Sequence, residues 1–246
     1  RGLGDVYKRQ PLVYIMAGIG FILPILILVM TTMMGGGQED TAIGVETMVE
    51  AFTNVWQSIG SVSGSTMAMD LTSMCNINML YFLVAVLVCV FVSEDFKSGY
   101  AKNLFAVRSQ KIDYVFSKTL VTFVGAVIMF LMYFIGAMIG GAIAGLPFTM
   151  EGFSAGGVVA CLFSKIFIIA VFVSLSLLLS VIAKQKLWLS IVGSFAAGML
   201  LFTMIPMIAP LNASLLNVIM CLAGGTIFAV GIGAVSNVVL NKTSLV

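Results

Sequence analysis

Six long runs of apolar residues constrain this chain more than any other feature of its sequence. They cover approximately residues 11–34, 75–93, 113–140, 158–183, 187–209 and 215–240. At a rise of about 1.5 Å per residue, a helix needs roughly 20 apolar residues to cross about 30 Å of hydrocarbon. The runs are continuous rather than alternating, which favours helices over the strands of an outer-membrane barrel. We therefore predict an all-α polytopic membrane protein with six transmembrane helices.

Composition agrees with a membrane location. Of the 246 residues, 61% are hydrophobic and only 9% are charged, whereas a soluble domain carries about 25% charged residues. The mean hydropathy is +1.15. These values exclude soluble enzymes and nucleic-acid-binding proteins, because a soluble fold needs charge to cover its surface. The lipid bilayer is the expected surrounding, and no nucleic-acid partner is expected.

The side chains that usually carry chemistry are scarce. The chain has no histidine, which removes histidine-based catalysis, the usual zinc sites and histidine proton relays. Its four cysteines, Cys75, Cys89, Cys161 and Cys221, stand singly among apolar residues and are interpreted as buried small hydrophobes. A Cys75–Cys161 disulfide is a weaker alternative. No phosphate-binding G-x-x-x-x-G-K-[ST] motif is present. We expect no catalytic residue, metal or cofactor in this chain.

The distribution of charge predicts the orientation. The loop 35–74 contains five acidic residues and no Lys or Arg, whereas the segment 93–118 contains five basic residues. The positive-inside rule assigns 93–118 to the cytoplasm and, with six spans, both termini as well. Lys165, about two turns into the fourth span, is then the only outward basic residue. Because no charge is expected near the middle of a span, ion-coupled transport is not favoured.

The first ten residues, RGLGDVYKRQ, resemble a translated cloning or sequencing-adapter scar. We therefore expect residues 1–10 to be non-native and residues 11–246 to form a single transmembrane domain. The exclusion matters because Gly2 to Asp5 mimics the GxGD signature of intramembrane aspartyl proteases. Those enzymes need a second aspartate within a membrane helix, whereas the only aspartate in a predicted span is Asp113, at the very start of the third.

Small residues and prolines predict local features of the helices. Gly136 with Gly140, Gly141 with Gly145, and the series Ser190, Ser194 and Gly198 recur at four-residue intervals, as in close helix contacts. Packing within the chain is the favoured interpretation, and a dimer seam is the alternative. Pro206 and Pro210, with Asn212, indicate that the chain breaks or re-enters between the fifth and sixth spans.

The outer loop contains an apolar stripe with helical spacing. Its members are Val45, Met48, Val49, Phe52, Val55, Trp56 and Ile59. The spacing predicts an amphipathic helix outside the membrane. The favoured interpretation is a helix lying on the lipid headgroups, and the alternative is part of a lid over an exit pore.

The segment 93–118 contains a second apolar stripe. Phe96, Tyr100, Leu104 and Val107 have the spacing of one helical face, with basic residues elsewhere. The apolar side chains of this stripe have to be shielded from water. One interpretation is a solvated basic loop whose aromatic side chains dip into the inner leaflet. The other is a short helix docked in the groove of a soluble partner.

The residues of this segment resemble a known pattern. Glu94-Asp95, then Gly99, Lys102-Asn103-Leu104, Lys111 and Ser117-Lys118 are similar to the cytoplasmic segment of ABC-2-type transporter permeases. The likeness in order and topology extends from Pro11 to Val246. It is greatest to the short bacterial permeases associated with bacteriocin or lantibiotic self-protection.

The resemblance implies a six-helix, type V exporter-like transmembrane domain in the bacterial cell membrane. Such a chain forms half of a translocation pathway. It pairs with a second permease chain, identical or related, and is driven by a separate ATP-binding-cassette ATPase subunit. The resemblance implies that the transporter is an exporter. The ATPase docking residues that the resemblance implies are Glu94, Asp95, Gly99, Tyr100, Lys102, Asn103, Leu104, Phe105, Arg108 and Lys111. The alternatives are a structural or assembly membrane protein without a transport path, and an ion-coupled secondary carrier.

Overall fold

The computed structural model describes residues 2–35, 52–62, 75–107, 111–184 and 186–242. These residues form helices joined by turns and contain no strand. The helices are α1 (Gly2–Gly35), α2 (Leu80–Lys97), α3 (Tyr100–Val107), α4 (Ile112–Ile143), α5 (Ala155–Ala183), α6 (Leu187–Phe202), α7 (Ile205–Ile208) and α8 (Leu215–Lys242). Two short 3-10 turns, Val55–Ser58 and Ile77–Met79, complete the described structure.

Five helical segments in the described part of the chain are long and apolar enough to cross a membrane. They are Val13–Met33, Ile77–Lys97, Ile112–Ile143, Ala155–Ala183 and Leu215–Lys242. Each coincides with one of the predicted apolar runs. The all-α, polytopic membrane architecture is therefore confirmed.

The predicted span at 187–209 differs from the structure. The helix α6 has 16 residues, and at about 1.5 Å per residue it is shorter than the hydrocarbon layer. The chain turns at Thr203 and Met204 before the short α7. The proline at position 206 has no N–H to donate to the carbonyl of Phe202, so α6 does not continue through it. The described residues therefore contain five candidate spanning helices and not the predicted six, whereas the predicted break near Pro206 is confirmed.

The helix α1 extends through the first residues of the chain. It is continuous from Gly2 to Gly35, so the helical backbone has no break at the predicted boundary between residues 10 and 11.

The chain divides into two compact units. Unit 1 contains Arg1–Met79, Ile128–Leu162 and Ile205–Ser214, and unit 2 contains Leu80–Val127, Phe163–Met204 and Leu215–Val246. Both α4 and α5 contribute residues to each unit.

Within unit 1, glycines allow α1 and α4 to approach closely. A side chain at Gly136 would collide with the backbone carbonyl of Phe21 and the ring of Pro24. One turn later, a Cβ at Gly140 would lie only 2.8 Å from the Cα of Ile25. The Gly136–Gly140 repeat is thus a helix-packing motif within the chain, as the favoured interpretation predicts.

Within unit 2, small residues of α6 pack against α2. A Cβ at Gly198 would lie 3.4 Å from the ring of Phe82, and the Oγ of Ser194 lies 3.4 Å from the Sγ of Cys89. Ser190 is buried one turn earlier on α6. This antiparallel seam confirms the prediction that Ser190, Ser194 and Gly198 form a close helix contact.

Candidate functional site

The turn between α2 and α3 depends on a glycine. Gly99 has a φ of +73°, in the left-handed region that side chains disfavour. The N–H of Ser98 donates to the carbonyl of Glu94 at 2.9 Å, and the N–H of Asn103 donates to the carbonyl of Gly99 at 3.1 Å. No heavy atom would lie within 4 Å of a Cβ at Gly99. In the described structure its role is therefore to redirect the backbone, and not to allow close approach of another segment.

A buried ion pair lies beside this turn. Asp95, on α2, is fully buried, and its Oδ2 lies 2.5 Å from the Nζ of Lys118 on α4. The hydroxyl of Tyr114 donates to the same Oδ2 at 3.0 Å. The ammonium of Lys118 also lies 3.6 Å from the ring centroid of Phe91. A buried charge is tolerated where hydrogen bonds, an opposite charge and an aromatic face replace its hydration.

The ion pair is connected to α3 and α8. The ring of Phe105, on α3, meets the ring of Tyr114 edge-on, with 5.3 Å between their centroids. The ammonium of Lys111 lies 5.5 Å from the centroid of Phe105 and donates to the carbonyl of Leu240 at 2.7 Å. That carbonyl is in the last turn of α8, where a cation is favourable. We name this set the basic junction: Phe91, Asp95, Phe105, Lys111, Tyr114 and Lys118.

The apolar stripe of residues 96–107 does not lie on one helical face. Phe96 is the penultimate residue of α2 and is buried, whereas Tyr100 begins α3 and is 46% exposed. The left-handed turn at Gly99 interrupts the helical register between these two residues, so the prediction of a continuous face is wrong. On α3 itself, Ala101 is buried, Leu104 is half-buried and Asn103 is exposed.

The residues expected to dock a partner divide into two groups. Glu94, Tyr100 and Asn103 are exposed. Asp95 is buried, and Phe105 and Lys111 are engaged within the basic junction. The side chain of Lys102 and all of Arg108 lie outside the described residues.

Sequence reasoning missed the contributions of Phe91 and Tyr114. Each lies four residues before a member of the ion pair, Phe91 before Asp95 on α2 and Tyr114 before Lys118 on α4. Residues at this spacing share a helix face. An aromatic residue one turn before each of two opposite charges was therefore a usable signal for a buried pair.

Lys165 has an environment that differs from the predicted one. It is the eleventh residue of α5 and its side chain is fully buried. Its backbone carbonyl accepts a hydrogen bond from the hydroxyl of Tyr81 at 3.0 Å, and the Tyr81 ring stacks on Phe172. Because α5 begins at Ala155, three residues before the predicted start, Lys165 lies deeper in the helix than expected. It is a buried ionisable residue within a candidate span.

The described part of the outer loop is not an amphipathic α-helix. Residues 52–62, which we name the strap, contain only a 3-10 turn at Val55–Ser58. Phe52, Val55 and Ile59 are at most 2% exposed and thus packed inside the protein. For these residues the interpretation as a helix on lipid headgroups is wrong. The earlier part of that stripe, at 45–51, lies outside the described residues.

All four cysteines are free thiols. The Sγ of Cys161 donates to the carbonyl of Ala209 at 3.2 Å, so a Cys75–Cys161 disulfide is not formed. Among the residues that the structure describes, no three His, Cys, Asp or Glu side chains are grouped so that they could hold a metal ion.

Comparison of the chain with protein-family models, curated proteins and solved structures gave no match.

Proposed function

We propose that this chain is the membrane permease subunit of an ATP-binding-cassette exporter, coupled to a separate ATPase subunit. The observation that carries the proposal is α3, a helix of eight residues that is too short to span a membrane. It presents exposed residues on one side and joins the basic junction on the other. The resemblance of residues 94–118 to ABC-2-type permeases supports the same interpretation.

The basic junction gives α3 a mechanical connection to three longer helices. Phe105 of α3 contacts Tyr114 of α4, Tyr114 donates to Asp95 of α2, and Lys111 binds the last turn of α8. A push on α3 would therefore displace the ends of these helices together, as in a rigid-body transition. This is the arrangement that coupling to an external motor requires.

The exposed part of α3 has the chemistry of a docking surface. Tyr100 is nearly half exposed, and aromatic side chains are frequent anchors in protein interfaces. In the proposed orientation α3 faces the cytoplasm, because the segment 93–118 around it carries five of the twelve Lys and Arg residues of the chain. The ATPase partner supplies the phosphate-binding loop that the sequence lacks, and a second permease chain completes the pathway.

An ion-coupled carrier is the second candidate, and Lys165 is the observation that favours it. An ionisable residue buried in a membrane span often belongs to an ion or substrate pathway. Under the exporter proposal, Lys165→Met retains ATP-dependent activity of the assembled complex. Under the carrier alternative, the same variant abolishes ion-driven uptake by proteoliposomes that contain the chain alone.

Co-purification with an ATPase tests the exporter proposal. The double variant Tyr100→Ala, Leu104→Ala should weaken association with the ATPase by roughly a hundredfold, since each buried anchor is worth about 1–3 kcal/mol. The matched control is Phe116→Ala, Leu120→Ala, which removes two exposed apolar side chains four residues apart on α4. The control should associate normally. The proposal fails if the wild-type chain recruits no ATPase, or if the α3 variant binds as well as the control.

A further inference from the structure

The strap is held at two places within unit 1, and the two attachments are unequal. The first attachment is to the loop between α4 and α5. The N–H of Val55 donates to the carbonyl of Pro147 at 3.3 Å, and the indole N–H of Trp56 donates to the carbonyl of Phe148 at 3.2 Å. The amide of Asn54 donates to the carbonyl of Thr149 at 2.7 Å and lies 3.2 Å from its hydroxyl.

Side-chain packing reinforces this first attachment. The side chain of Val55 occupies the space above Gly141, where a Cβ would collide with both of its methyl groups. The ring of Trp56 meets that of Phe153 edge-on at 6.1 Å between centroids. The strap is therefore tied to the α4–α5 loop by several hydrogen bonds and by two close apolar contacts.

The second attachment, to the turn that follows α7, is slighter. One main-chain hydrogen bond runs from the N–H of Leu211 to the carbonyl of Ser61, at 2.8 Å. Beside it, Gly60 packs at ordinary van der Waals distance, with a Cβ position 3.5 Å from Leu211 and 3.7 Å from the Sγ of Cys161. This end has no side-chain hydrogen bond among the contacts described for Gly60, Ser61 and Leu211.

The buried hydroxyl of Ser61 marks this end as incompletely satisfied. Its Oγ is shielded from solvent and has no hydrogen-bond partner among the residues that the structure describes. A buried polar group of this kind costs free energy, and separation of the strap from the turn would return the hydroxyl to water. The backbone groups of Ser61 and Leu211 would also exchange their mutual hydrogen bond for bonds to water.

We propose that the strap is a gate that opens by leaving the post-α7 turn while it remains attached to the α4–α5 loop. In the proposed orientation this turn lies at the outer face, so the opening would release substrate from the exit end of the pathway. That role rests on the proposed transport function, whereas the opening itself is a property of the chain alone. Cys161, fully buried between Gly60 and the carbonyl of Ala209, becomes accessible when the strap leaves.

The rate at which N-ethylmaleimide modifies native Cys161 measures this opening. The chain is placed in lipid nanodiscs, and each cysteine is quantified by mass spectrometry. Gly60→Val should raise the rate at Cys161 by at least about tenfold, because branched methyl groups do not fit between Leu211 and Cys161. Gly60→Ala is the matched control and should leave the rate unchanged, since its single methyl group fits at 3.5 Å.

Two further rates decide between local opening and loss of the fold. Asn54→Ala removes the contacts with Thr149 and the hydrogen bond that the Oδ1 of Asn54 accepts from the N–H of Trp56 within the strap. It leaves the contacts of Gly60 and Ser61 in place, so the rate at Cys161 should stay close to that of the wild type. Cys89 and Cys221, both buried in unit 2, should react at wild-type rates in every variant. The proposal is overturned if Gly60→Val does not accelerate Cys161, if Asn54→Ala accelerates it equally, or if all three buried cysteines accelerate together.

Cross-linking in the assembled complex tests the role of the gate. Gly60→Cys should form a disulfide with native Cys161 under a mild oxidant, since the Cβ position and the Sγ are 3.7 Å apart. That cross-link should stop transport-coupled ATP hydrolysis, and reduction should restore it. A cross-link between Asn54→Cys and Thr149→Cys joins the strap to the loop it never leaves and should have no effect. Uninterrupted ATP hydrolysis with the strap locked to Cys161 would refute the gate while leaving the ATPase coupling intact.

Discussion

The basic junction and the strap hold their parts of the chain by different chemistry. The basic junction joins α2, α3 and α4 through a buried ion pair, a tyrosine hydroxyl and three aromatic rings, and joins α8 through the hydrogen bond from Lys111 to the carbonyl of Leu240. Among the described residues the strap is joined to its neighbours by uncharged groups, and at one end by one main-chain hydrogen bond together with the packing of Gly60. Water can replace an uncharged hydrogen bond at small cost, whereas separating two buried charges is expensive. The first arrangement suits transmission of a force, and the second suits a contact that is broken and remade.

The comparison predicts its largest effect at Asp95. The variant Asp95→Ala leaves the buried ammonium of Lys118 without its counter-charge, which should lower the free energy of unfolding by about 3–5 kcal/mol. Its neighbour Glu94 is exposed, so Glu94→Ala should change stability by less than about 0.5 kcal/mol. Denaturant unfolding in detergent measures both variants. Equal stability of the two variants would show that the ion pair does not hold the junction together.

The ion pair also shows where sequence reasoning reached its limit. The apolar runs located the five spans because a continuous run of about 20 apolar residues has few alternatives to a membrane helix. The pairing of Asp95 with Lys118 depends on how α2 and α4 pack against each other. The spacing of residues within a single helix does not reveal such a contact. The strap was missed for the same reason. Its spacing predicts a helix, but contacts with Gly141 and the α4–α5 loop hold most of it in a non-helical conformation.

The short α6 is a contrasting case, because its cause is local. Pro206 and Pro210 were identified as helix-breaking residues, yet the predicted span was continued past Pro206 to residue 209. Mean hydropathy is insensitive to one residue within an apolar run, so it predicted a single long span. The missing N–H of one proline is nevertheless enough to end a helix. The Gly136–Gly140 motif was predictable for a similar reason, since four-residue spacing of glycines follows directly from helix geometry.

The next largest effect is expected where the strap is most tightly packed. Gly141→Ala places a methyl group against both γ-carbons of Val55, a side chain that is stiff at χ1. Overpacking of this kind should cost about 1–3 kcal/mol. Gly18→Ala on α1 is the control, because no heavy atom lies within 4 Å of its Cβ position. Thermal unfolding of the purified chain measures both. If Gly141→Ala is as stable as Gly18→Ala, Val55 does not anchor the strap.

A smaller effect is expected from the indole hydrogen bond of Trp56. Trp56→Phe removes the donor to the carbonyl of Phe148 but retains most of the apolar contact. A single neutral hydrogen bond contributes about 0.5–1.5 kcal/mol, so the loss of stability should fall in that range. Tyr114→Phe in the basic junction removes a hydroxyl that donates to a charged carboxylate, and it should cost about 1.5–3 kcal/mol. If Trp56→Phe lowered the free energy of unfolding by more than Tyr114→Phe does, the strap would be held more strongly by its uncharged hydrogen bond than the basic junction is by its tyrosine hydroxyl.

The smallest effect concerns the reactivity of Cys75, which lies just before the span Ile77–Lys97 and is half-buried. Burial raises the pKa of the Cys75 thiol above its ordinary value of 9.0. The thiolate is the reactive form, so a raised pKa lowers its fraction at every pH below that value. Maleimide modification of Cys75 should therefore be slower than that of a free thiol at pH 7.5, and its rate should still rise with pH above 9.

Unlike Cys161, Cys75 should respond equally little to Gly60→Val and to Gly60→Ala, because neither Gly60 nor the post-α7 turn is among the contacts described for it. Acceleration of both Cys75 and Cys161 by Gly60→Val would mean that the strap does not open at one end alone.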